Sequence, residues 1–305
     1  MFLEFYMKIF LYVLVFFSLN TLCKYLTDDF SQSTLQKPCL EKIHGSPIEA
    51  NEIEDSILNQ KYTYLGKGKQ AHVFVSEDGS HVLKLFRSFS PKLQLTLFGK
   101  SFFVSISKMP FSHFLFSFLF REEAMKQREL DFRSYINSFI LLKKETQIEY
   151  LHLVKTENLK KEITLYDKIG VVHKLNLDET CFLIQRKAEP LYPVLKTFIQ
   201  EKKEKQAQEL IQRFVQLSIS LAEKGIINPT TIEKNYGYLE GYPLLIDVGR
   251  VLNKEDLRLE SAPSMKQVYN TVHHMKKWLE LQDKDMYQYF EKILDKELQI
   301  HETAL

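Results

Sequence analysis

The sequence predicts an α+β chain in two parts: a small lobe built on an antiparallel sheet with one main helix, then a helical lobe. Three observations carry this expectation. Short β-prone segments separated by glycine-bearing turns fill the first half, apolar runs at helical spacing fill the second, and the composition calls for a packed core. Of 305 residues, 45% are hydrophobic and 26% charged, with only 10 Gly and 9 Pro, which excludes disordered, collagen-like and low-complexity classes. A chain of this length suffices for one large domain or two joined lobes. The 41 Lys and Arg nearly balance 39 Asp and Glu, so charge gives no reason to expect nucleic acid as a partner.

The first element is apolar. Ile9 to Leu19 is interrupted only by Ser18, follows Lys8, and gives way to small and polar residues before Lys24. Residues 1–23 therefore read as a signal peptide or an N-terminal hydrophobic anchor. This predicts a secreted or envelope-associated protein, with a membrane-anchored chain and a buried N-terminal helix as the alternatives. Asn20, Thr21 and Leu22 fit poorly before a lipid-bearing Cys23. Cys39 and Cys181 have no metal-like spacing, and Cys181, inside Cys181-Phe182-Leu183-Ile184, reads as a small core residue.

Residues 24–61 are polar, carry Pro38 and Pro47, and read as a linker or arm. The first lobe, 62–187, opens with strands at Tyr62–Leu65, Ala71–Ser76 and His81–Phe86, the last two joined by a Glu77-Asp78-Gly79-Ser80 turn. An insert at 95–120 holds eight phenylalanines but also Lys100, Lys108, Pro110 and His113. It reads as an amphipathic hairpin or lid packed on the domain, with a membrane or protein contact as the alternative. Arg121–Lys144 has the apolar spacing of a helix, through Ala124, Leu130, Phe132, Tyr135, Ile136, Phe139, Ile140 and Leu142. Strands at Tyr150–Lys155, Ile163–Tyr166 and Phe182–Gln185 extend the sheet to five or six. The helical lobe, 188–305, begins after a hinge near Arg186–Pro193. Its strongest helix is Ala207–Glu223, stopped by Gly225, and Tyr269, Val272, Met275, Trp278 and Leu279 mark one face of a later one.

Two constellations carry chemistry. Gly66-Lys67-Gly68-Lys69-Gln70-Ala71-His72-Val73 joins two strands, and its glycines let backbone N–H groups approach an anion. Eleven positions beyond Val73, Lys84 lies between apolar neighbours in a strand, and an ammonium held there needs an anionic partner. Far downstream, Asn235 precedes by 12 positions the Asp247 that closes the apolar strand Leu244-Leu245-Ile246 and is followed by Val248-Gly249. An amide and a carboxylate converging across a hairpin offer hard oxygens suited to Mg2+.

These residues, in this order, resemble the protein-kinase-like superfamily across most of 62–252. The loop 66–73 is similar to the family's Gly-x-Gly-x-x-Gly-x-Val with Ala71 at the third glycine, and Val82-Leu83-Lys84 to its strand-three lysine motif. The chain also resembles kinase-like proteins of intracellular bacteria. The resemblance implies a bilobal kinase-like fold binding ATP and Mg2+, with Gly66, Gly68, Ala71 and Val73 over the nucleotide and Lys84 on its α- and β-phosphates. It likewise implies Asp247 and Asn235 as metal ligands and Glu129, or alternatively Glu123, as the lysine's helix partner. Gln185–Ala188 would be the hinge that reads adenine, with Gln185 at its start.

The catalytic loop departs from the family. The position five before Asn235, where the family has its Asp, is Thr230, and no His-Arg-Asp occurs between Gly225 and Lys234. A loop two residues longer would put Asn228 at the base position, where an amide cannot accept a proton as a carboxylate does, and Glu233 is the nearby substitute. The expectation is a nucleotide-binding protein that transfers phosphate slowly or acts as a pseudokinase. The alternative is a non-enzymatic secreted or envelope interaction module. His273-His274 reads as a solvated helix pair and Gln200–Gln206 as an exposed charged stretch.

Overall fold

The computed structural model describes residues 2–38, 52–88, 92–97, 100–105, 121–227, 233–249, 252–253 and 265–304. In chain order it begins with α1 (Phe2–Leu26), α2 (Asp55–Leu58), β1 (Lys61–Lys67), β2 (Ala71–Ser76) and β3 (His81–Phe86). There follow β4 (Lys92–Leu97), β5 (Lys100–Ser105), α3 (Arg121–Leu141), α4 (Lys143–Thr146), β6 (Ile148–His152), β7 (Glu162–Tyr166), β8 (Val172–Asn176) and β9 (Phe182–Arg186). The remainder is β10 (Glu189–Pro190), α5 (Leu191–Gln200), α6 (Glu204–Glu223), β11 (Ile226–Ile227), β12 (Tyr236–Leu239), β13 (Tyr242–Leu245), β14 (Leu252–Asn253), α7 (Met265–Gln282) and α8 (Lys284–Ala304). This is an α+β protein. It divides into two compact units, Met1–Phe89 with His152–Gln185, and Ser90–Leu151 with Arg186–Leu305.

In the first unit the strands run in the order β9-β3-β2-β1-β7-β8. The expected antiparallel sheet is in fact mixed, because β1 pairs β7 in parallel (Lys61↔Thr164, Tyr62↔Leu165, Thr63↔Tyr166) while β2, β3 and β8 pair antiparallel. β8 has no counterpart in the sequence reading, since Val172-His173-Lys174-Leu175-Asn176 buries only Leu175 and so lacks an apolar face. One sheet face is dry: Tyr62, Phe74, Leu83, Leu85, Ile163 and Leu165 are all but inaccessible.

The described part of the expected linker belongs to this core. Phe30 is buried, edge-on to His72, Phe74 and His173 at 5.1 Å each. Leu35 is buried too, the Gln36 N–H donates to the Phe86 carbonyl (2.7 Å), and the Cys181 N–H donates to the Gln36 carbonyl (3.0 Å). Cys181 is a buried core residue, as the sequence suggests; Cys39 lies outside the described residues.

His72 sits at the centre of this packing, fully buried, with neither ring nitrogen hydrogen-bonded among the described residues. Burial, and then the charges of Arg87 and Lys67, push its pKa from 6.5 down to about 4. Because the unfolded chain takes up this proton first, the folded state is at full strength above pH 6.5 and weakens as pH falls toward 4. At 1.36 kcal/mol per pKa unit the loss amounts to about 3 kcal/mol. Denaturant midpoints measured from pH 7 to 4 will fall in the wild type, and His72→Phe will flatten that slope.

The second unit begins with the β4–β5 hairpin, paired from Lys92↔Ser105 to Leu97↔Lys100. These strands overlap the start of the phenylalanine-rich insert; 98–99 and 106–120 lie outside the described residues. α3 buries Phe132, Tyr135, Ile136 and Phe139 as its spacing predicts, whereas Leu130 and Ile140 are exposed. The helix ends at Leu141 rather than Lys144, a separate turn following from Lys143 to Thr146 before Gln147 takes φ +51°.

α6 buries Leu210, Ile211, Phe214, Val215, Leu217, Ile219 and Leu221, and Gly225 at φ +69° follows its end. Along α7 the buried line is Val268, Val272, Met275 and Leu279; Tyr269, expected on it, is exposed. α8 returns with Phe290, Ile293 and Leu294 buried, and its buried Glu297 takes hydrogen bonds from Gln212 (2.9 Å) and Gln216 (3.2 Å) on α6. β10, β12 and β13 form a small antiparallel sheet. Its tip is a two-residue turn, Glu240 at φ +51° and Gly241 at φ +91°, the conformation that favours tight hairpins.

Candidate functional site

In the first unit the register places three of the sequence-selected residues in one cross-strand row: Gly66 opposite Val73, and Val73 opposite Lys84. Directly paired residues share a sheet face, so Lys84 stands on the same face as Val73, and Val75 and Val82, the next pair along, share it. Val73, Val75 and Lys84 are half-buried there. The hairpin closes tightly, Gly68 N–H donating to the Ala71 carbonyl at 2.8 Å, and β1 bulges between Tyr64 and Gly66. Neither Gly66 nor Gly68 needs a positive φ, a Cβ on Gly66 would meet nothing within 4 Å, and one on Gly68 would meet only the Ala71 carbonyl, at 3.5 Å.

The fold therefore gives no steric reason for glycine at 66. Gly66→Ala will leave the melting temperature unchanged or slightly raised, as expected for removing a strand glycine, which a thermal melt of the two proteins checks. Gln185, the last residue of this unit, is buried at the end of β9, whose sheet neighbour is β3.

In the second unit Asn235 and Asp247 are brought together. The Asn235 carbonyl accepts the N–H of Ile246 (2.8 Å) and of Asp247 (3.4 Å), closing the mouth of the β12–β13 hairpin. Asn235 is buried and Asp247 exposed, its Oδ1 accepting the Gly249 N–H at 3.2 Å. The two backbones thus touch at the hairpin mouth. Next along, the buried Ser134 hydroxyl of α3 donates to the Val248 carbonyl, tying the helix to the segment that carries the aspartate. Beside it, burial foremost, then the charges of Asp131 and Asp247, hold the Tyr135 phenol far above its ordinary pKa.

Two residues past Asn235, Gly237 has no room for a side chain. A Cβ there would lie 2.6 Å from Ala188 Cβ and 2.7 Å from Ile246 Cγ2. Glu129 is exposed on α3 and its carboxylate takes the Arg133 guanidinium at 2.9 Å. Glu233 is exposed in the helical turn that ends at Asn235. Asn228 lies outside the described residues, and the side chain of Glu123 does as well.

Among the described residues no three His, Cys, Asp or Glu side chains converge as a metal cluster. One carboxylate and one amide are instead the sparse, hard-oxygen donor set that suits Mg2+ when phosphate oxygens and water complete its shell. Sequence reasoning missed Ser134. Its signal was present: Ser134 and Ser138 interrupt the apolar face of α3 one turn apart, and Ser138 bonds back to the Ser134 carbonyl at 2.8 Å, leaving Ser134 as the hydroxyl that reaches outside its own helix.

No family model matches the chain, and no curated protein does. Two solved structures of WbdD are similar. One, a co-crystal with the kinase inhibitor LY294002, gives 13% identity and a TM-score of 0.35 over 76% of this chain and 45% of that one. The other, described as a bifunctional kinase-methyltransferase, gives 13% identity and a TM-score of 0.32 over 74% and 43%. The chain therefore spans less than half the length of either.

Proposed function

We propose that this protein binds ATP with Mg2+ in the manner of a kinase-like protein and transfers phosphate slowly or not at all. The observation that carries the reading is the Asn235–Asp247 junction, where one backbone carbonyl holds the amide-bearing and carboxylate-bearing residues at a single hairpin mouth. The row Gly66–Val73–Lys84 supports it from the first unit, offering a small-residue backbone, an apolar platform for a base and a half-buried ammonium on one sheet face. Mg2+, when bound, would screen the phosphate charges and orient them. Asp247 and Asn235 would hold it, Lys84 would take the α- and β-phosphates, and Gln185 would start the segment that meets adenine.

Slow turnover follows from the segment before Asn235. With Thr230 and Asn228 where a carboxylate would serve, an acceptor hydroxyl has Glu233 as its nearest acidic candidate, and Glu233 sits in an exposed turn. Phosphoryl transfer depends chiefly on positioning and electrostatics, so the missing base lowers the rate without removing the capacity to bind. A single-turnover assay with radiolabelled ATP tests this: Asn228→Asp will raise the rate of γ-phosphate loss at least tenfold over wild type. Equal rates in the two proteins would remove Asn228 from the base position.

A further inference from the structure

We propose that α1 stays in the mature protein as a bilayer span and that the β7–β8 tip seats the first unit directly on the same membrane. This does not depend on nucleotide binding. Phe5–Leu26 is a 22-residue apolar helix whose apolar window holds no buried residue. At 1.5 Å per residue it is about 33 Å long, against a hydrocarbon core of about 30 Å. Its exposure is not one-sided. Every large hydrophobic residue from Phe5 to Phe17 stands out, as do Leu19, Leu22, Tyr25 and Leu26, and a helix apolar on every side suits a lipid interior rather than a membrane surface.

The span meets the fold without a linker. The Thr27 and Asp29 N–H groups donate to the Cys23 (2.9 Å) and Lys24 (2.8 Å) carbonyls, carrying the helical turn past the position where residues 1–23 would be released. Four residues after Leu26 the chain is already buried at Phe30. Asp28 accepts from Tyr64 Oη (2.9 Å) and Lys168 Nζ (2.9 Å), and Asp29 meets Arg87 (3.4 Å) and Lys67 (4.0 Å).

A second apolar feature lies at that exit. Ile169, Val171 and Val172, at the turn between β7 and β8, are 53%, 48% and 52% exposed. They adjoin Lys168, which pairs with Asp28 and lies 5.8 Å over the Tyr25 ring. Apolar side chains at the foot of an apolar helix, rimmed by Tyr25, Lys24 and Lys168, reproduce the side-chain order of a membrane interface. A cleaved leader would leave this tip without an occupant; a retained span supplies one.

The test uses the full-length chain in phosphatidylethanolamine–phosphatidylglycerol vesicles with brominated acyl chains. Trp278 is the one natural tryptophan, so wild-type protein gives the baseline for Ile169→Trp. The β2–β3 turn lies at the opposite end of the sheet, because β1 runs parallel to β7 and antiparallel to β2, which makes Glu77→Trp the control. We expect an intact mass that includes residues 2–23 and at least twofold quenching of the tryptophan introduced at 169, with none at 77. A mature chain lacking residues 1–23 would overturn the proposal, and so would an unquenched tryptophan at 169.

Discussion

Mg·ATP will raise the unfolding temperature of the wild-type protein and leave Lys84→Ala and Asp247→Ala where they were. A ligand that binds only the folded state stabilises it by RT ln(1 + [L]/Kd), about 2.7 kcal/mol at a hundredfold excess over Kd. For domains of this size that corresponds to a rise of about 5–10 °C. Asp247 is exposed, its Oδ1 accepting the neighbouring Gly249 N–H, and Lys84 is half-buried on a sheet face it shares with Val73, Val75 and Val82. Melting temperatures without nucleotide therefore serve as the internal control, and the loss is read only in the shift. A wild type that does not respond would reject the nucleotide reading and favour the interaction module.

Gly237→Ala will destabilise the second unit strongly for a single added methyl. Carbon atoms pack at about 3.5–4.0 Å, and the new Cβ would stand 2.6 Å from one side chain and 2.7 Å from another, with the Glu189 carbonyl at 3.3 Å. The contacts come from both flanks, Ala188 before β10 and Ile246 after β13, so no single displacement relieves them. Overpacking of this kind costs about 1–3 kcal/mol, read as a drop of about 3–10 °C in the melting temperature. Ala188→Gly in the same chain removes the shorter contact and will recover part of the loss. Nucleotide affinity should fall with stability, because the forced movement of Ile246 pulls on the N–H that the Asn235 carbonyl holds.

The parts of the fold legible in the sequence were those with a local signal. Ala71–Ser76 and His81–Phe86 are strands at the expected bounds because turn residues flank them closely. The Asn235–Asp247 pairing was readable because Glu240-Gly241 marks a tight hairpin between them. What stayed hidden depends on distant partners. Phe30 is one aromatic residue in a polar stretch, and only the ring cluster of His72, Phe74 and His173 makes it core. The β1–β7 pairing joins segments far apart in the chain, and β8 is held at the sheet edge by its ladder to β7 more than by its own side chains. The resemblance offered Glu129 as the lysine's helix partner; its exposure and its pairing with Arg133 are facts of helix rotation that the spacing of apolar residues left open.

The parallel ladder between β1 and β7 also has a kinetic meaning. Lys61 and Thr164 are about one hundred residues apart in sequence, and closing so long a loop before any contact rewards it slows folding. While the ribosome extends the chain, Tyr62 must wait for Leu165, its partner on β7, and the eight phenylalanines of 95–120 are made during that interval. Synthesis will therefore expose a sticky intermediate, and release of a nascent chain truncated before β7 should yield aggregate, whereas one ending after β9 should yield a protease-resistant first unit.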